Sequence, residues 1–329
     1  MTSQFGRKAE LFIGQGGNGI VISDLHFMFE IRQSETPRPN NAIVRVYNLS
    51  RETAERIKSS EFTRMAINAG YEDGNYGLIF LGTIVQVFTG LERNVDSFVE
   101  IFAADGDEFA NFATVNTTLA KGATPQQINK EIFERATIEG RSVGDLFPYA
   151  IDSKNYIGGV NPAGLQRAKV MFGMARNYAD DWARLHGARW SVQNGEIVIY
   201  PVDGYRPGEA VVLSPATGLI GVPEATADGV HVRCLLNPKI RIGCLVQIAR
   251  DDISALTVKN IPLGRLTTGS IPTAAITTAE GFYRVMVAEF TGDTRGQAWY
   301  CEMVLIAVDV TQPINKSVKV EDATVGTGQ

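Results

Sequence analysis

The side chains able to do chemistry in this sequence are few and scattered. There are three histidines, His26, His186 and His231. Metal binding and general-base catalysis need imidazoles gathered with carboxylates or thiols, and no H-E-x-x-H or C-x-x-C spacing is present. His26 and His231 stand at polar positions of alternating stretches, and His186 stands at a helix end, where a cation is favourable. Asp180 with Asp181, and Asp251 with Asp252, are the candidate acids for glycoside hydrolysis, which needs two carboxylates flanking one bond. Adjacent residues on a helix diverge, so the first pair cannot converge unaided. Both pairs read as solvated surface charge.

Two further patterns are weighed in the same way. Gly14, Gly16 and Gly19 fit G-x-G-x-x-G, but a dinucleotide fingerprint needs those glycines to open a helix. The residues that follow, IVISDL, are β-branched and strand-like, so the glycines read as a turn between strands. Cys234, Cys244 and Cys301 cannot all pair within one chain, and they read as reduced thiols. Cys234 and Cys244 fall on inward positions of two stretches joined by a turn and are expected to be cross-strand neighbours with a packing role. The expectation is therefore no catalytic, cofactor-binding or metal-binding residue, no cofactor and no enzyme.

The chain has 329 residues, 44% hydrophobic and 20% charged, with a net charge of -5. That is enough apolar material for more than one module. Lys and Arg are dispersed, without the basic stripe of a duplex-binding surface, so sequence-specific nucleic-acid binding is not expected. No apolar run approaches the roughly 18 residues of a membrane span, nor does the N-terminus show a signal-peptide core, and stable membrane insertion is not expected.

Periodicity divides the chain into β-rich, helical and β-rich thirds. Leu25, Phe27, Phe29 and Ile31 alternate with polar residues, and AIVRVYNL, RMAINAGY, YGLIFLGTIVQVF and SFVEIFAAD continue as strands. Phe98 and Phe102 are assigned core-like positions with Phe27 and Phe29. Ser50 is an N-cap candidate for a short helix. Thr124, Pro125 and Gln127 form a capping box with proline at the first helical position, predicting an amphipathic helix from about Pro125 to Glu139. A longer helix is predicted from near Pro162, with Met171, Met174, Tyr178, Trp182 and Leu185 on one face and Gly187 as its stop. Asn194-Gly195 marks a hairpin. HVRCLL, KIRIGCLVQIA, FYRVMVAEF and AWYCEMVLIAVDV are read as strands, and the tail after Pro313 as polar and dependent on a partner for order.

Two blocks carry a resemblance. The first is FEIRQSETPRPNNAIVRVYNLS, AGYEDGNYGLIFLGTIVQVFTG and a strand ending in AADG; the second is LSPATGLIGVPEATADGVHVRCLLNPKIRIGCLVQI. Together they resemble the hub proteins of contractile-tailed phage baseplates, whose larger relatives include late control and spike-base proteins of phages and type VI secretion machines. The resemblance covers residues 20–110 and 210–310 and transfers no site residue. It implies an α+β, predominantly β fold: two tube-like β-barrel domains, 1–115 and 206–312, flanking a smaller helix-containing module, 116–205, with a polar tail, 313–329. It also implies a structural hub in the virion tail baseplate, assembled in the host bacterial cytoplasm. Such a hub joins the tail tube to the central spike and forms part of the channel for genome ejection. The implied partners are two further copies in a homotrimer, the tail spike protein, tail tube or tube-initiator proteins, and the tape measure and baseplate wedge proteins.

Two other classes compete with that reading, a peptidoglycan-degrading tail hydrolase and a carbohydrate-binding tail adhesin. A short internal match supports the hub. Phe88-Thr89-Gly90 and Phe290-Thr291-Gly292 each end a strand and lead through a polar loop into an aromatic-rich strand, which suggests a duplicated β module.

Overall fold

The computed structural model describes residues 6–15, 18–59, 61–93, 95–138, 141–142, 164–206, 208–226, 229–248, 257–258, 281–308 and 320–321. They fall into two compact units. The first comprises Met1–Ser34, Asn41–Ala103 and Asp203–Gln329; the second comprises Glu35–Asn40 and Ala104–Val202. Both β-rich ends of the chain thus belong to one unit, and the middle third makes the other.

The first unit opens with the hairpin β1 (Arg7–Gln15) and β2 (Asn18–Ile22), followed by β3 (Phe27–Ser34), β4 (Asn40–Tyr47) and helix α1 (Arg51–Lys58). Strands β5 (Arg64–Tyr71), β6 (Tyr76–Glu92) and β7 (Asp96–Asp105) complete its first segment. The Ser50 side chain accepts the Thr53 N–H and starts α1 as an N-cap should.

The middle segment holds α2 (Asp107–Phe112), β8 (Thr114–Leu119), α3 (Pro125–Phe133), β9 (Thr137–Ile138), β10 (Arg141–Ser142), β11 (Lys169–Met174), α4 (Ala175–Leu185), β12 (Ala188–Gln193) and β13 (Glu196–Pro201). The last segment supplies β14 (Ala210–Leu213), β15 (Leu219–Thr226), β16 (Gly229–Leu235), β17 (Leu245–Ile248), β18 (Thr257–Val258), β19 (Phe282–Asp293), β20 (Trp299–Ala307) and β21 (Val320–Glu321).

The fold is mostly β. One 15-stranded sheet runs β18-β15-β16-β20-β19-β3-β4-β7-β6-β5-β1-β2, with β17 on β19, β14 on β17 and β21 on β14. Two sets of six strands share one order within it. The first segment reads β3-β4-β7-β6-β5-β1, and the last reads β15-β16-β20-β19-β17-β14. Taken in chain order, the counterparts are β1 with β14, β3 with β15, β4 with β16, β5 with β17, β6 with β19, and β7 with β20. The sixth strand differs in direction, since β1 is antiparallel to β5 whereas β14 is parallel to β17. One apolar cluster, including Leu11, Phe29, Val44, Ile67 and Ile101 with Val232, Cys234, Phe290 and Leu305, runs through both sets.

The Phe-Thr-Gly repeat falls on counterpart strands but on opposite faces. Phe290 is 1% exposed and stands opposite Cys301 in the core. Phe88 is 46% exposed, and it packs edge-on against Phe102 at 5.6 Å. On β7 the core positions are Val99, Ile101 and Ala103, so Phe98 and Phe102 point the other way, against the expectation. Alternation alone cannot say which of two apolar faces is the core.

In the second unit, Thr124 and Gln127 make both bonds of the capping box. The helix is shorter than expected, ending at Phe133, because β-branched Thr137 and Ile138 leave it to pair as β9. The second expected helix needs a larger correction. Residues 169–174 are strand β11, with Met171 opposite Thr117, and the helix begins only at Ala175. Gly173, at φ 135°, belongs to extended chain rather than to a helix. Met171 and Trp182 are buried as expected, but Leu185 is 80% exposed. Residues 161–163, including Pro162, lie outside the described residues.

KIRIGCLVQIA also divides, with only Leu245–Ile248 forming a strand. Asn237 caps the preceding turn by accepting the Lys239 N–H. Of the tail, Val320 and Glu321 pair in parallel with Ala210 and Val211 of the same chain.

Buried polar groups organise the second unit. Glu35, 3% exposed, meets Arg189 at 2.9 Å and accepts the Tyr200 hydroxyl at 3.1 Å. The Asn40 amide donates to Val192 O at 2.8 Å and to Gln193 Oε1 at 3.0 Å. Asp105 accepts the backbone N–H groups of Asn194 and Gly195 at 2.5 and 3.0 Å, where φ values of 55° and 76° fit a tight hairpin turn. Asp105→Ala removes both acceptors and is expected to cost about 2 kcal/mol, measured by denaturant unfolding; an unchanged midpoint would count against this account.

Candidate functional site

Among the described residues the candidate side chains stand apart. His26 binds Asp293 and stacks on Tyr47, with ring centroids 4.7 Å apart. His186 caps α4, its Nδ1 within 2.8 Å of Trp182 O. His231 is exposed on β16. Asp180 accepts the Trp190 indole N–H at 2.9 Å, whereas Asp181 pairs with Arg184. Asp251 and Asp252 lie outside the described residues. Gly14 and Gly19 are paired across the β1–β2 hairpin, which excludes the helix opening of a dinucleotide site; Gly16 lies outside the described residues. Among the described residues no group of three or more His, Cys, Asp and Glu side chains could hold a metal.

The thiol expectation is corrected. Cys234 stands opposite Cys301 across β16 and β20, not opposite Cys244. Both are in the core, at 1% and 0% exposure, and burial next to Cys234 pushes the Cys301 thiol well above its usual value. Cys244 precedes β17 because KIRIGC is a turn. It lines a cavity of about 340 Å³ with Tyr76, Glu209, Lys239 and Arg241. Burial raises its pKa against the pull of Arg206 and Arg241, so it is a thiol rather than a thiolate nucleophile at neutral pH.

The sequence was expected to hold no G-x-S-x-G nucleophile elbow, but Gly140, Ser142 and Gly144 spell that string. A nucleophile elbow needs its serine at a sharp strand-to-helix turn. Ser142 pairs antiparallel with Thr137 in β10, and residues 143–163, where such a turn would follow, lie outside the described residues.

What the residues do build is a joint. β19 lies antiparallel to β3 from Val287 opposite Ser34 to Asp293 opposite Met28. Gly292 is needed there, since a Cβ would come within 2.1 Å of the Phe29 ring. Beyond the ladder, Thr294 N donates to Phe27 O and Thr294 Oγ1 accepts the Phe27 N–H, both at 3.1 Å. The Asp293 carboxylate accepts the N–H groups of Arg295 and Gly296 at 2.9 and 2.7 Å and bonds His26 Nε2 at 2.8 Å. Arg7 donates to Gly296 O and Gln297 O at 2.8 and 3.2 Å while lying over the Trp299 ring.

Two edges of the same sheet stay open among the described residues. β6 pairs with β5 only up to Thr83, and Val85, Phe88 and Leu91 on its far half are 63%, 46% and 64% exposed. On β15, Ile220 and Val222 are 38% and 52% exposed. Unpaired strand edges carrying apolar side chains are sites of association.

Asp293 gives the joint a dependence on pH. Desolvation by burial raises its pKa, but the Arg295 and Gly296 N–H groups and His26 outweigh it and hold the carboxyl below its usual value. A lowered folded pKa contributes stability above the unfolded value, about 3.9, that disappears as pH falls through the folded one. Asp293→Asn should therefore lower the melting temperature at neutral pH and converge with the parent in strong acid; equal offsets at both would contradict this. The thiols provide a separate check. Alkylation of the denatured, unreduced protein should count three free thiols, and Cys301→Ala should cost of order 1–2 kcal/mol; a Cys234–Cys301 disulfide would overturn the packing role.

No family model matches the sequence, and no curated protein matches it. Solved structures do share the fold. A tail protein from Neisseria meningitidis matches with TM-score 0.53 at 9% identity, over 92% of this chain and 97% of that one. The 43 kDa tail protein of prophage MuSo2 from Shewanella oneidensis gives TM-score 0.53 at 8% identity, over 92% and 97%. An E. coli component of the type VI secretion system, itself similar to the T4 bacteriophage tail proteins gp27 and gp5, gives TM-score 0.52 at 9% identity, over 91% and 77%. The chain has the fold of phage tail proteins.

Proposed function

We propose that the chain is a structural, non-enzymatic hub of a phage tail baseplate, joining the tail tube to the central spike and lining part of the channel for genome ejection. The observation that carries this reading is the six-strand order present twice in one continuous sheet. A tail tube is six-fold, and a chain with two similar β modules matches it with three copies. Each six-strand set is read as a tube-like β-barrel domain, the first within 1–115 and the second within 206–312. A cyclic homotrimer would then offer six near-equivalent modules and close without free ends. The shared fold with tail proteins supports the same reading.

The partners on this reading are two further copies, the tail spike below, tube or tube-initiator proteins above, and the tape measure and wedge proteins. The location is the virion tail baseplate after assembly in the host cytoplasm. Against a catalytic role stand the carboxylates of Asp180 and Asp181, each engaged singly, with Trp190 and Arg184.

Native mass spectrometry, alone and with tail neighbours, should find a trimer; a monomer or dimer in the assembled tail would overturn the hub. Zymography on bacterial cell walls should give no clearing, and clearing by the purified protein would establish the hydrolase instead.

A further inference from the structure

The two six-strand sets differ in what lies beside their longest strand. β19 pairs with β17 over Phe282–Arg284 and then with β3 over Val287–Asp293. Its counterpart β6 pairs with β5 over Tyr76–Thr83, and past Ile84 no strand occupies that side among the described residues. The first strand of each set differs in the complementary way. β3 gives its outer edge to β19, while β15, its counterpart, meets only β18 there, at Glu224 and Ala225. The segment Leu219–Val222 has no outer strand among the described residues. One set therefore ends in an open edge of the β19 kind, and the other in an open edge of the β3 kind.

We propose that these edges are made for each other in different copies of the chain. The far half of β6 in one molecule pairs antiparallel with β15 of the next, repeating between molecules the ladder that β19 and β3 make within one. This deepens the ring proposed above by naming its surfaces. Pairing through two different edges is head-to-tail, the geometry that closes into rings.

The internal joint also offers a register. Val87 packs against the core as Ala288 does, which brings Thr89 and Leu91 to the places of Phe290 and Gly292. Leu219 stands opposite Cys234 as Phe29 stands opposite Val44, and both partners are core residues. Leu219 is accordingly set at Phe29, the middle of the three β3 residues, with Phe27 and Ile31, that face core partners on β4. Gly292 faces Phe29 in the internal joint, so Leu91 is set against Leu219 of the next copy and Phe88 comes beside Val222, within the bulge that β15 makes between Ile220 and Glu224, where Gly221 has φ 74°. Pro223, with no N–H to give, ends the ladder.

The side chains fit this assignment. Where Phe88 would meet Val222, the internal joint has Glu289 and Arg32, an exposed ion pair at 3.1 Å. The internal joint forms whenever the chain folds, and its outer face stays polar. The open edges instead carry apolar groups that a lone chain leaves in water, and cross-strand pairing would cover them.

Cysteine cross-linking of the full-length protein tests the register. Phe88→Cys with Val222→Cys in one chain should give disulfide-linked multimers under mild oxidation. Each single variant alone should give none, and the two singles mixed should stop at dimers. Cross-linking within either single variant would replace the head-to-tail joint with a two-fold one and overturn the proposal. An oligomer by native mass spectrometry with no cross-link in the double variant would sink this joint while leaving a ring through other surfaces. A monomeric parent would remove both. Phe88→Lys supplies an independent readout, because the site is exposed and folding should be preserved by circular dichroism and melting. Its association should weaken at least tenfold; unchanged association would count against the joint.

Discussion

The β19–β3 ladder is the interaction on which the first unit depends. Residues at opposite ends of the chain, Met28 and Asp293, stand opposite each other in it. Without it, the first and last segments would be two sheets, each with an unsatisfied row of N–H and C=O groups. With it, the core becomes one cluster, in which Phe29 meets the Trp299 ring edge-on at 5.8 Å. The loop after β19 closes the joint with side chains from the chain's beginning, Arg7 and His26. The His26–Asp293 pair is structural for that reason, since its aspartate organises a loop.

Much of the local structure was legible in the sequence because it rests on local chemistry. Thr124 and Gln127 cap a helix by bonds that span three residues, and Asn194-Gly195 turns a hairpin with its own φ angles. Alternation located β3, β4, β5 and β16 for the same reason. The failures share a cause as well. Met171 and Met174 keep a spacing that suits a helix, yet the backbone there pairs with β8, a partner fifty residues away. Phe98 and Phe102 alternate as core residues would, but Arg45 covers the Phe98 ring from outside the core, 4.6 Å above it. Which face is buried depends on the rest of the sheet, and period two says nothing about that.

The candidate site shows the same division. That Asp180 and Asp181 diverge could be read from helix geometry, and they take separate partners, Trp190 and Arg184. The joint and the open edges could not be read in the sequence, because they are properties of strand order. Cys234 illustrates the difference. Its neighbour by sequence turn was Cys244, whereas its neighbour in the sheet is Cys301, sixty-odd residues on, since β16 pairs with β20 rather than with β17.

The duplicated order also explains why sequence likeness between the two segments is so slight. A sheet constrains which positions are apolar and where bulges fall, and it leaves the wording of each strand free. Phe-Thr-Gly recurs on β6 and β19 with its phenylalanines on opposite faces, so the two do opposite work. In β19 the phenylalanine fills the core beside Cys301; in β6 it faces outward against Phe102. The strand order survives because each exchange of neighbours would orphan a whole row of backbone groups, whereas exchanging one apolar side chain for another in a packed core costs little if volume is kept. The two sets do diverge at the sixth strand, where β14 runs parallel to its neighbour and β1 antiparallel. Each of these strands takes its second neighbour from outside the six, β2 for β1 and β21 for β14, so the repeat does not hold its direction.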